Sequence, residues 1–133
     1  MGQQVLLVED ETNIMEAISF ILSRAGWEVR GHANGATAID EIARQTPDVV
    51  VLDVMLPGRS GFDILRDLRA APDTRNLPVL MLTAKGQAKD RETALSLGAD
   101  AFLTKPFSNS ELVETLSRVA AGADRTKDLE DQG

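Results

Sequence analysis

The 133-residue sequence contains no cysteine and no tyrosine, and it has a single histidine and a single tryptophan. Without cysteine the chain can form neither a disulfide framework nor a zinc–thiolate site, and the lone His32 cannot supply a histidine-rich metal site. The chain also lacks an apolar run long enough to span a bilayer and the basic and apolar segments of a signal peptide. These absences favour a cytosolic globular protein that does not enter a membrane.

Basic residues are also scarce, because 14 Lys and Arg stand against 21 Asp and Glu, for a formal net charge of −7. This balance disfavours nonspecific binding to nucleic acid, whose phosphates repel an acidic surface. Apolar residues make up 43% of the chain, which at this length is enough for one domain with a single core. We expect residues 1–121 to form that domain and the polar residues 122–133, with four acids and two bases, to form a disordered tail.

Apolar runs and helical spacings alternate along the chain. The run at residues 49–53 has four apolar residues before Asp53 and predicts a strand that is buried on both faces, as in a parallel sheet. Four other segments also predict strands: residues 5–8, 27–30, 78–82 and 101–104. A helical pattern follows each strand, and repeated strand–helix units with short connections predict an α/β fold with helices on both faces of a parallel sheet.

Two of the predicted helices carry specific local signals. The turn Asn34-Gly35 leads into a helix whose apolar face is expected to comprise Ala36, Ile39, Ile42 and Ala43. Ser108 and Glu111 have the spacing of a capping box, which predicts the start of the last helix. The core stripe of that last helix is expected to be Leu112, Leu116 and Val119.

Charged or hydroxyl side chains stand where four of the predicted strands end: Glu9 with Asp10, Asp53, Thr83 and Lys105. Because parallel strands end at one edge of the sheet, where α/β folds have their functional crevice, we expect these side chains to lie together. Three crowded carboxylates repel one another, and Mg²⁺, a hard cation with oxygen ligands, relieves that repulsion. The set has no histidine base or activated serine, so it suits phosphoryl transfer onto a carboxylate.

Each of these residues taken alone also fits a structural role. Asp53 could be a turn or capping aspartate, and residues 9–11 could be an acidic cluster that the dipole of the next helix favours. Thr83 could be an N-cap, and Lys105 could be a solvated surface lysine. Their occurrence together at successive strand ends is what favours a functional site.

Four short stretches carry a family resemblance: Val5–Glu11, Leu52–Gly58, Leu82–Ala84 and Thr104–Phe107. With these stretches, in this order and spacing over about residues 4–121, the chain resembles a response-regulator receiver domain of two-component signalling. The resemblance implies the flavodoxin-like fold of the chemotaxis regulators, with five helices and a five-stranded parallel sheet in the strand order 2-1-3-4-5.

The resemblance also implies a role for each strand-end residue. Asp53 would accept a phosphoryl group from a histidine kinase or phosphotransfer protein, and Thr83 would donate a hydrogen bond to a phosphoryl oxygen. Lys105 would pair with Asp53 and then with the phosphate, and its bond to Pro106 would be cis. Phe102 occupies the position of the switch aromatic, where many relatives have tyrosine, so its ring can swing inward but has no hydroxyl to bond.

The metal site that the resemblance implies holds Mg²⁺. Asp10 would be a direct ligand and Glu9 its neighbour in the acidic pair, with Asp53 and the backbone carbonyl of Met55 completing the protein's donors. Met55 and Lys85 would flank the path of the hydrolytic water and tune the lifetime of the phosphoryl group. Since Met55 is apolar and cannot orient a water, we expect slow self-dephosphorylation.

Two larger arrangements are compatible with this resemblance. The chain could be a stand-alone phosphoacceptor switch, which we favour, or the receiver part of a larger transcription regulator. Receivers of winged-helix transcription factors dimerise through ion pairs, but Ala101 and Thr115 stand where one such pair needs an acid and an arginine. We therefore expect a monomer or a weak, phosphorylation-dependent dimer.

Two other classes of protein fit the strand-end residues less well. A phosphatase of the haloacid-dehalogenase class places a second aspartate two residues after the first, and Met55 in that position cannot transfer protons. A nucleotide-binding module needs Gly-x-Gly-x-x-Gly after the first strand, where the acidic residues 9–11 would repel phosphates. We therefore expect no enzymatic activity beyond self-phosphorylation and self-dephosphorylation, and no binding of nucleic acid by this domain.

Overall fold

The structure is a computed structural model that describes residues 3–83 and 88–132, with the backbone alone described for residue 88 and residues 122–132. Strands and helices alternate in it: β1 Gln4–Val8, α1 Thr12–Arg24, β2 Glu28–His32, α2 Ala38–Arg44, β3 Val49–Asp53, α3 Gly61–Ala70, β4 Val79–Thr83, α4 Ala88–Ser96, β5 Ala101–Thr104 and α5 Asn109–Gln132. A single 3-10 turn, Gly35–Thr37, precedes α2. The alternation predicted from the apolar runs is confirmed.

The five strands form one parallel sheet in the order β2-β1-β3-β4-β5, as the family resemblance implies. Strand β3 lies at the centre, paired with β1 on one side and β4 on the other, and every one of its residues is buried. The register places Val8 opposite Leu52, and Thr83 opposite Thr104. The strands β1, β3, β4 and β5 therefore end almost level, and the residues at or just beyond their ends share one edge.

The apolar residues of the sheet alternate between two cores, because successive side chains of a strand point to opposite faces. One core lies between the sheet and α2, α3 and α4, and it includes Leu6, Val8, Val50, Leu52, Ile42, Ile64, Leu65 and Leu68. The other lies between the sheet and α1 and α5, and it includes Val5, Leu7, Val49, Val51, Ile18, Leu22, Leu112, Leu116 and Val119. The predicted helices on both faces, and the predicted core stripe of α5, are confirmed.

The apolar face expected for the second helix is partly wrong. Ile42 is buried and Ile39 is partly buried, but Ala36 and Ala43 are exposed, and Ala38 occupies the core instead. The cause is the 3-10 turn at residues 35–37, which winds at three residues per turn and delays the start of α2 to Ala38. This delay changes which residues of the segment point toward the sheet.

Helix α5 starts at the predicted capping box and extends beyond residue 121, the predicted end of the domain. The capping box is confirmed, since the N–H of Glu111 donates to Ser108 Oγ at 3.0 Å and the N–H of Ser108 donates to Glu111 Oε1 at 3.4 Å. The backbone of α5 continues as helix to Gln132, and the disordered tail expected for residues 122–133 stays a prediction. Residues 122–132 contain no proline and several strong helix formers, and a helix that is already nucleated extends one residue at a time. The domain boundary at residue 121 stays a prediction.

No helix in the described part of the chain combines the length and the apolar character that crossing a membrane requires.

Candidate functional site

A lysine joins two carboxylates at the carboxyl edge of the sheet. The Lys105 ammonium, which follows β5, donates to Asp53 Oδ2 at 2.9 Å and to Glu9 Oε1 at 3.0 Å. Asp53 is the last residue of β3 and Glu9 directly follows β1, so the parallel sheet brings together groups from three separate strands. Lys105 is largely buried in these ion pairs, so its interpretation as a solvated surface lysine is wrong.

Glu9 is the more unusual of the two carboxylates because it is 1% exposed. Its backbone N–H donates to the His32 carbonyl at 3.1 Å, which extends the pairing of β1 with β2 and directs the side chain into the protein. Burial, followed by a hydrogen bond with Asp53, raises the pKa of Glu9 from 4.5 to about 7, although the N–H of Glu11 and the Lys105 ammonium oppose this rise. The neutral form of this buried carboxyl is therefore favoured more than in an exposed glutamate. Its Oε2 also accepts the N–H of Glu11 at 3.1 Å just before α1, so the alternative of an acidic cluster favoured by the helix dipole stays open.

Asp53 is held by donors on both of its carboxylate oxygens. Oδ1 accepts the N–H of Met55 at 3.1 Å, and Oδ2 accepts the Lys105 ammonium. Burial by itself would lower the pKa of Lys105, but the hydrogen bonds to Asp53 and Glu9 outweigh it and raise that pKa above its ordinary value. The lysine therefore remains a cation at neutral pH and faces a nearly buried carboxylate whose position is fixed.

The acidic residues are close enough to share a cation. Glu9, Asp10 and Asp53 each offer one carboxylate oxygen, and the three oxygens lie within 4.8 Å of one another. Asp10 is exposed, whereas the other two are buried. Hard oxygen donors at this spacing, with one side open to water, fit Mg²⁺, which keeps part of its hydration shell. They open into a cleft of about 400 Å³ lined by Glu9, Asp10, Glu11, Ile14, Asp53, Met55 and Lys105.

Strand β4 contributes Thr83, which is 4% exposed and ends its strand beside Asp53 in the sheet. The Thr83 carbonyl accepts the backbone N–H of Lys105 at 2.7 Å, so the threonine and the lysine are tied through their main chains. The Lys105–Pro106 peptide bond is cis, as the resemblance implies. The strand ends therefore carry a hydroxyl, a cation and three carboxylates at one edge.

Comparison with known proteins agrees with this arrangement. Residues 5–117 match the response regulator receiver domain family. The chain belongs to this family. It is 40% identical over 119 residues to the phosphate regulon transcriptional regulatory protein PhoB of Escherichia coli, an alignment that covers 90% of this chain and 52% of PhoB. The chain spans about half the length of the curated relatives it matches.

Solved structures give the same result for this receiver domain. A response regulator from Chloroflexus aurantiacus superposes with a TM-score of 0.88 at 36% identity, covering 91% of this chain and 99% of that one. The receiver domain of a sensor histidine kinase from Pseudomonas aeruginosa superposes with a TM-score of 0.84 at 35% identity, again covering 91% and 99%. That second structure has a magnesium ion coordinated in its active site cleft. The family and fold inferred from the sequence are confirmed.

Most of the predicted site residues of this receiver domain come together, but some expectations stay open. Glu9, Asp53 and Lys105 are in direct contact. The Met55 side chain is 72% exposed at the cleft, and ligation by its carbonyl stays a prediction. Phe102 is partly buried against the core on the α2–α4 side, and its role as a switch stays a prediction. Lys85 lies outside the described residues.

The hydrogen bond between Lys105 and Glu9 is the contact that the sequence does not predict. The family resemblance implies that Lys105 pairs with Asp53, whereas its ammonium lies between Asp53 and Glu9. Glu9 directly follows β1 and Lys105 directly follows β5, and these two strands are separated in the sheet by β3 and β4. The strand order and the length of a lysine side chain are both needed to see that the Lys105 ammonium reaches the two carboxylates.

Proposed function

We propose that this receiver domain is a phosphoacceptor that takes a phosphoryl group on Asp53 from a phosphohistidine of a histidine kinase or phosphotransfer protein. The observation that carries the proposal is the bridge from the Lys105 ammonium to Asp53 and Glu9, next to Asp10 at the open edge of the sheet. A carboxylate that is buried, oriented by two donors and open to a cleft suits attack on phosphorus.

In the proposed transfer, one carboxylate oxygen of Asp53 forms a bond to phosphorus while the phosphorus–nitrogen bond of the phosphohistidine breaks. The electron pair of that bond returns to the imidazole nitrogen. Lys105 keeps a positive charge beside the incoming group, and the Thr83 hydroxyl donates to a phosphoryl oxygen. The phosphohistidine carries a proton on its other ring nitrogen, so the imidazole leaves as a neutral ring and no general acid of this chain is required.

We propose Mg²⁺ as the cofactor, with Asp10, Glu9 and Asp53 as side-chain donors and the Met55 carbonyl as a backbone donor. The support is the spacing of the three carboxylate oxygens within 4.8 Å and the magnesium ion in the related receiver from Pseudomonas aeruginosa. When bound, Mg²⁺ neutralises charge on the phosphoryl group. The protein's own part is to hold the donors in place and to leave the exposed Asp10 side open to water.

The consequence of phosphorylation is proposed to be a change in the surface formed by α4, β5 and α5. Phosphorylation adds roughly one negative charge and new acceptor oxygens at Asp53. If Thr83 moves toward a phosphoryl oxygen, Phe102, which pairs with Met81 on the strand beside β5, can turn into the vacated space. Complete burial of an exposed ring contributes roughly 1.5–3 kcal/mol, and since Phe102 is already partly buried, its further burial would contribute less, toward the lower end of typical allosteric couplings of about 1–3 kcal/mol.

The primary test of the proposal is phosphorylation with acetyl phosphate and Mg²⁺, followed by intact mass. Wild type is expected to gain one phosphoryl group, Asp53→Asn none, and the matched control Asp63→Asn as much as wild type, since Asp63 makes only an exposed ion pair with Arg66. Equal labelling of Asp53→Asn and wild type would refute the assignment. NMR with beryllofluoride tests the switch, which fails if residues 89–104 and 111–119 do not respond.

A second arrangement has specific support, namely that this receiver is one part of a longer transcription regulator. The support is the coverage of PhoB, of which the chain spans about half. The size of the natural gene product, measured by immunoblot in its source, decides between this arrangement and a stand-alone switch. In either case the domain itself is proposed to be a switch without further enzymatic activity, not to bind nucleic acid, and to be a monomer or a weak, phosphorylation-dependent dimer. The cytoplasmic location expected from the sequence stays a prediction.

A further inference from the structure

The main chain of Asp53 is in direct contact with the first residue of α3. Gly61 is buried there, and a Cβ atom placed on it would lie 3.0 Å from the Asp53 carbonyl carbon, 3.0 Å from Val54 Cα and well inside the contact distance of the Asp53 carbonyl oxygen. Real Cβ atoms essentially never approach other atoms more closely than 3.0 Å. Gly61 does not have a positive φ, so its backbone conformation is open to other residues. Glycine is required here because there is no room for a Cβ atom.

Hydrogen bonds hold this close approach in place from two sides. The N–H of Gly61 donates to the Val54 carbonyl at 2.9 Å, and the N–H of Val54 donates to the Leu82 carbonyl of β4 at 2.9 Å. Ser60 caps the helix, with its Oγ accepting the N–H of Asp63 at 3.2 Å. The peptide unit that follows Asp53 is therefore fixed between the neighbouring strand and the first turn of α3.

The orientation of the Asp53 carboxylate depends on this stretch of main chain. Oδ1 accepts the N–H of Met55, only two residues further on, and Oδ2 accepts the Lys105 ammonium across the sheet edge. The peptide between Asp53 and Val54 lies between the carboxylate and the Met55 N–H, so a displacement of this peptide changes the distance of the carboxylate both to that N–H and to Lys105. The start of α3 is therefore mechanically connected to the geometry of the site.

We propose that Gly61 is a positioning residue of the phosphoacceptor site. Its missing side chain lets the start of α3 pack directly on the main chain of Asp53 and sets where the carboxylate stands relative to Lys105 and the acidic pair. This inference rests on the proposed function of Asp53. It assigns to α3, which donates no side chain to the cleft, a part in determining the rate of phosphoryl transfer.

The test is Gly61→Ala, with two readouts on folded protein. A methyl group must displace the main chain by about 1 Å, an error that typically costs about 10²-fold in rate. We therefore expect the rate of labelling by acetyl phosphate and Mg²⁺ to fall by roughly 10- to 100-fold. Without metal or phosphate donor, the Met55 amide is expected to exchange its hydrogen faster than in wild type, because its bond to Asp53 Oδ1 is weakened.

The matched control is Leu68→Ala, which removes core volume about two turns further along α3 without approaching Asp53. Both variants are measured where the fluorescence of the single tryptophan, Trp27, shows that they are folded. If Leu68→Ala loses as much rate as Gly61→Ala, or if Gly61→Ala is labelled as fast as wild type, the inference is overturned. If wild type itself is not labelled, the proposed function fails, while the exchange of the Met55 amide still tests the positioning role.

Should Gly61→Ala fail to fold, Ser60→Ala provides the second variant. It removes the helix cap and loosens the first turn of α3 without adding an atom near Asp53. We expect a smaller loss of labelling rate in the same direction, about 2- to 5-fold, again with faster exchange of the Met55 amide. A Ser60→Ala protein with wild-type labelling and wild-type exchange would overturn the inference.

Discussion

Arg69 ties three parts of the chain together at the end of the sheet opposite the acidic site. From the last turn of α3, its guanidinium donates to the carbonyls of Leu77 at 2.7 Å, Gly98 at 2.9 Å and Thr74 at 3.3 Å, and to Asp100 Oδ2 at 3.1 Å. These partners precede β4 and β5, so one side chain fixes the entry to both strands. We expect Arg69→Ala to be among the most destabilising substitutions outside the apolar cores.

The size of this effect follows from the contacts that are lost. Hydrogen bonds to a charged donor contribute about 1.5–3 kcal/mol each, and the two short bonds to Leu77 and Gly98 fall in this class. The bond to Thr74 is long and the pair with Asp100 is half-exposed, so together they add only about 1 kcal/mol. Taking the lower end of these contributions, Arg69→Ala is expected to lower the free energy of unfolding by at least about 4 kcal/mol, and the melting temperature by at least roughly 10–15 °C.

Urea unfolding followed by Trp27 fluorescence measures this loss, because Trp27 is 8% exposed and packs in the core against α1 and α5. The matched control is Arg66→Ala on the same helix, whose exposed pair with Asp63 predicts a change within about 0.5 kcal/mol. Arg69→Lys should be intermediate, since an ammonium cannot reproduce the planar fork. A loss in Arg69→Ala within about 1 kcal/mol of that in Arg66→Ala would refute the reasoning.

Three further predictions concern the acidic site. Asp10→Ala is expected to weaken Mg²⁺ binding in a calorimetric titration more than Glu11→Ala does, and equal losses would contradict the assignment of Asp10 as a ligand. In EDTA, Glu9→Gln should be more stable than wild type above pH 7 and similar below about pH 4.5, because a carboxyl with a raised pKa loses stabilisation as the pH rises from its unfolded value of 4.5 through about 7. Urea midpoints across this range test the sign, and a difference that does not change with pH would count against it. Met55→Asn should speed loss of the phosphoryl group, since an amide can orient water, and unchanged decay of the phosphorylated mass would exclude that role.

The main elements of the fold are predictable because the sequence encodes them locally. The apolar residues 49–52 cannot be solvated on either face, so they require a central strand, and the same holds for residues 5–8. The convergence of Asp53 and Lys105 follows in turn, because parallel strands place their carboxyl ends at one edge. The order of the strands, by contrast, is implied by the family resemblance and does not follow from the apolar patterns.

What the sequence does not predict depends on contacts between distant segments or on small changes of helical winding. The hydrogen bonds of Arg69 go to main-chain carbonyls up to 29 residues away. Because every residue has a main-chain carbonyl, the sequence does not indicate which of them accept a hydrogen bond. The 3-10 turn at residues 35–37 changes the face of α2 by a fraction of a turn, which apolar spacing alone does not resolve. The sequence does not predict the burial of Glu9 either, because this residue lies beyond the apolar run of β1 and nevertheless continues the pairing of β1 with β2.

The charge balance at the sheet edge connects this burial to switching. Among the side chains that the structure describes, Glu9, Asp10 and Asp53 face the ammonium of Lys105, and these four groups carry two net negative charges when all three carboxyls are ionised. Burial and the hydrogen bond with Asp53 raise the pKa of Glu9 to about 7, which favours its neutral form and so reduces this excess. A bound divalent cation would remove the excess altogether, and the proposed phosphoryl group on Asp53 would then restore roughly one negative charge. We therefore expect this change to be absorbed at the sheet edge by the side chains of Thr83 and Lys105, whose main chains are hydrogen-bonded to each other there.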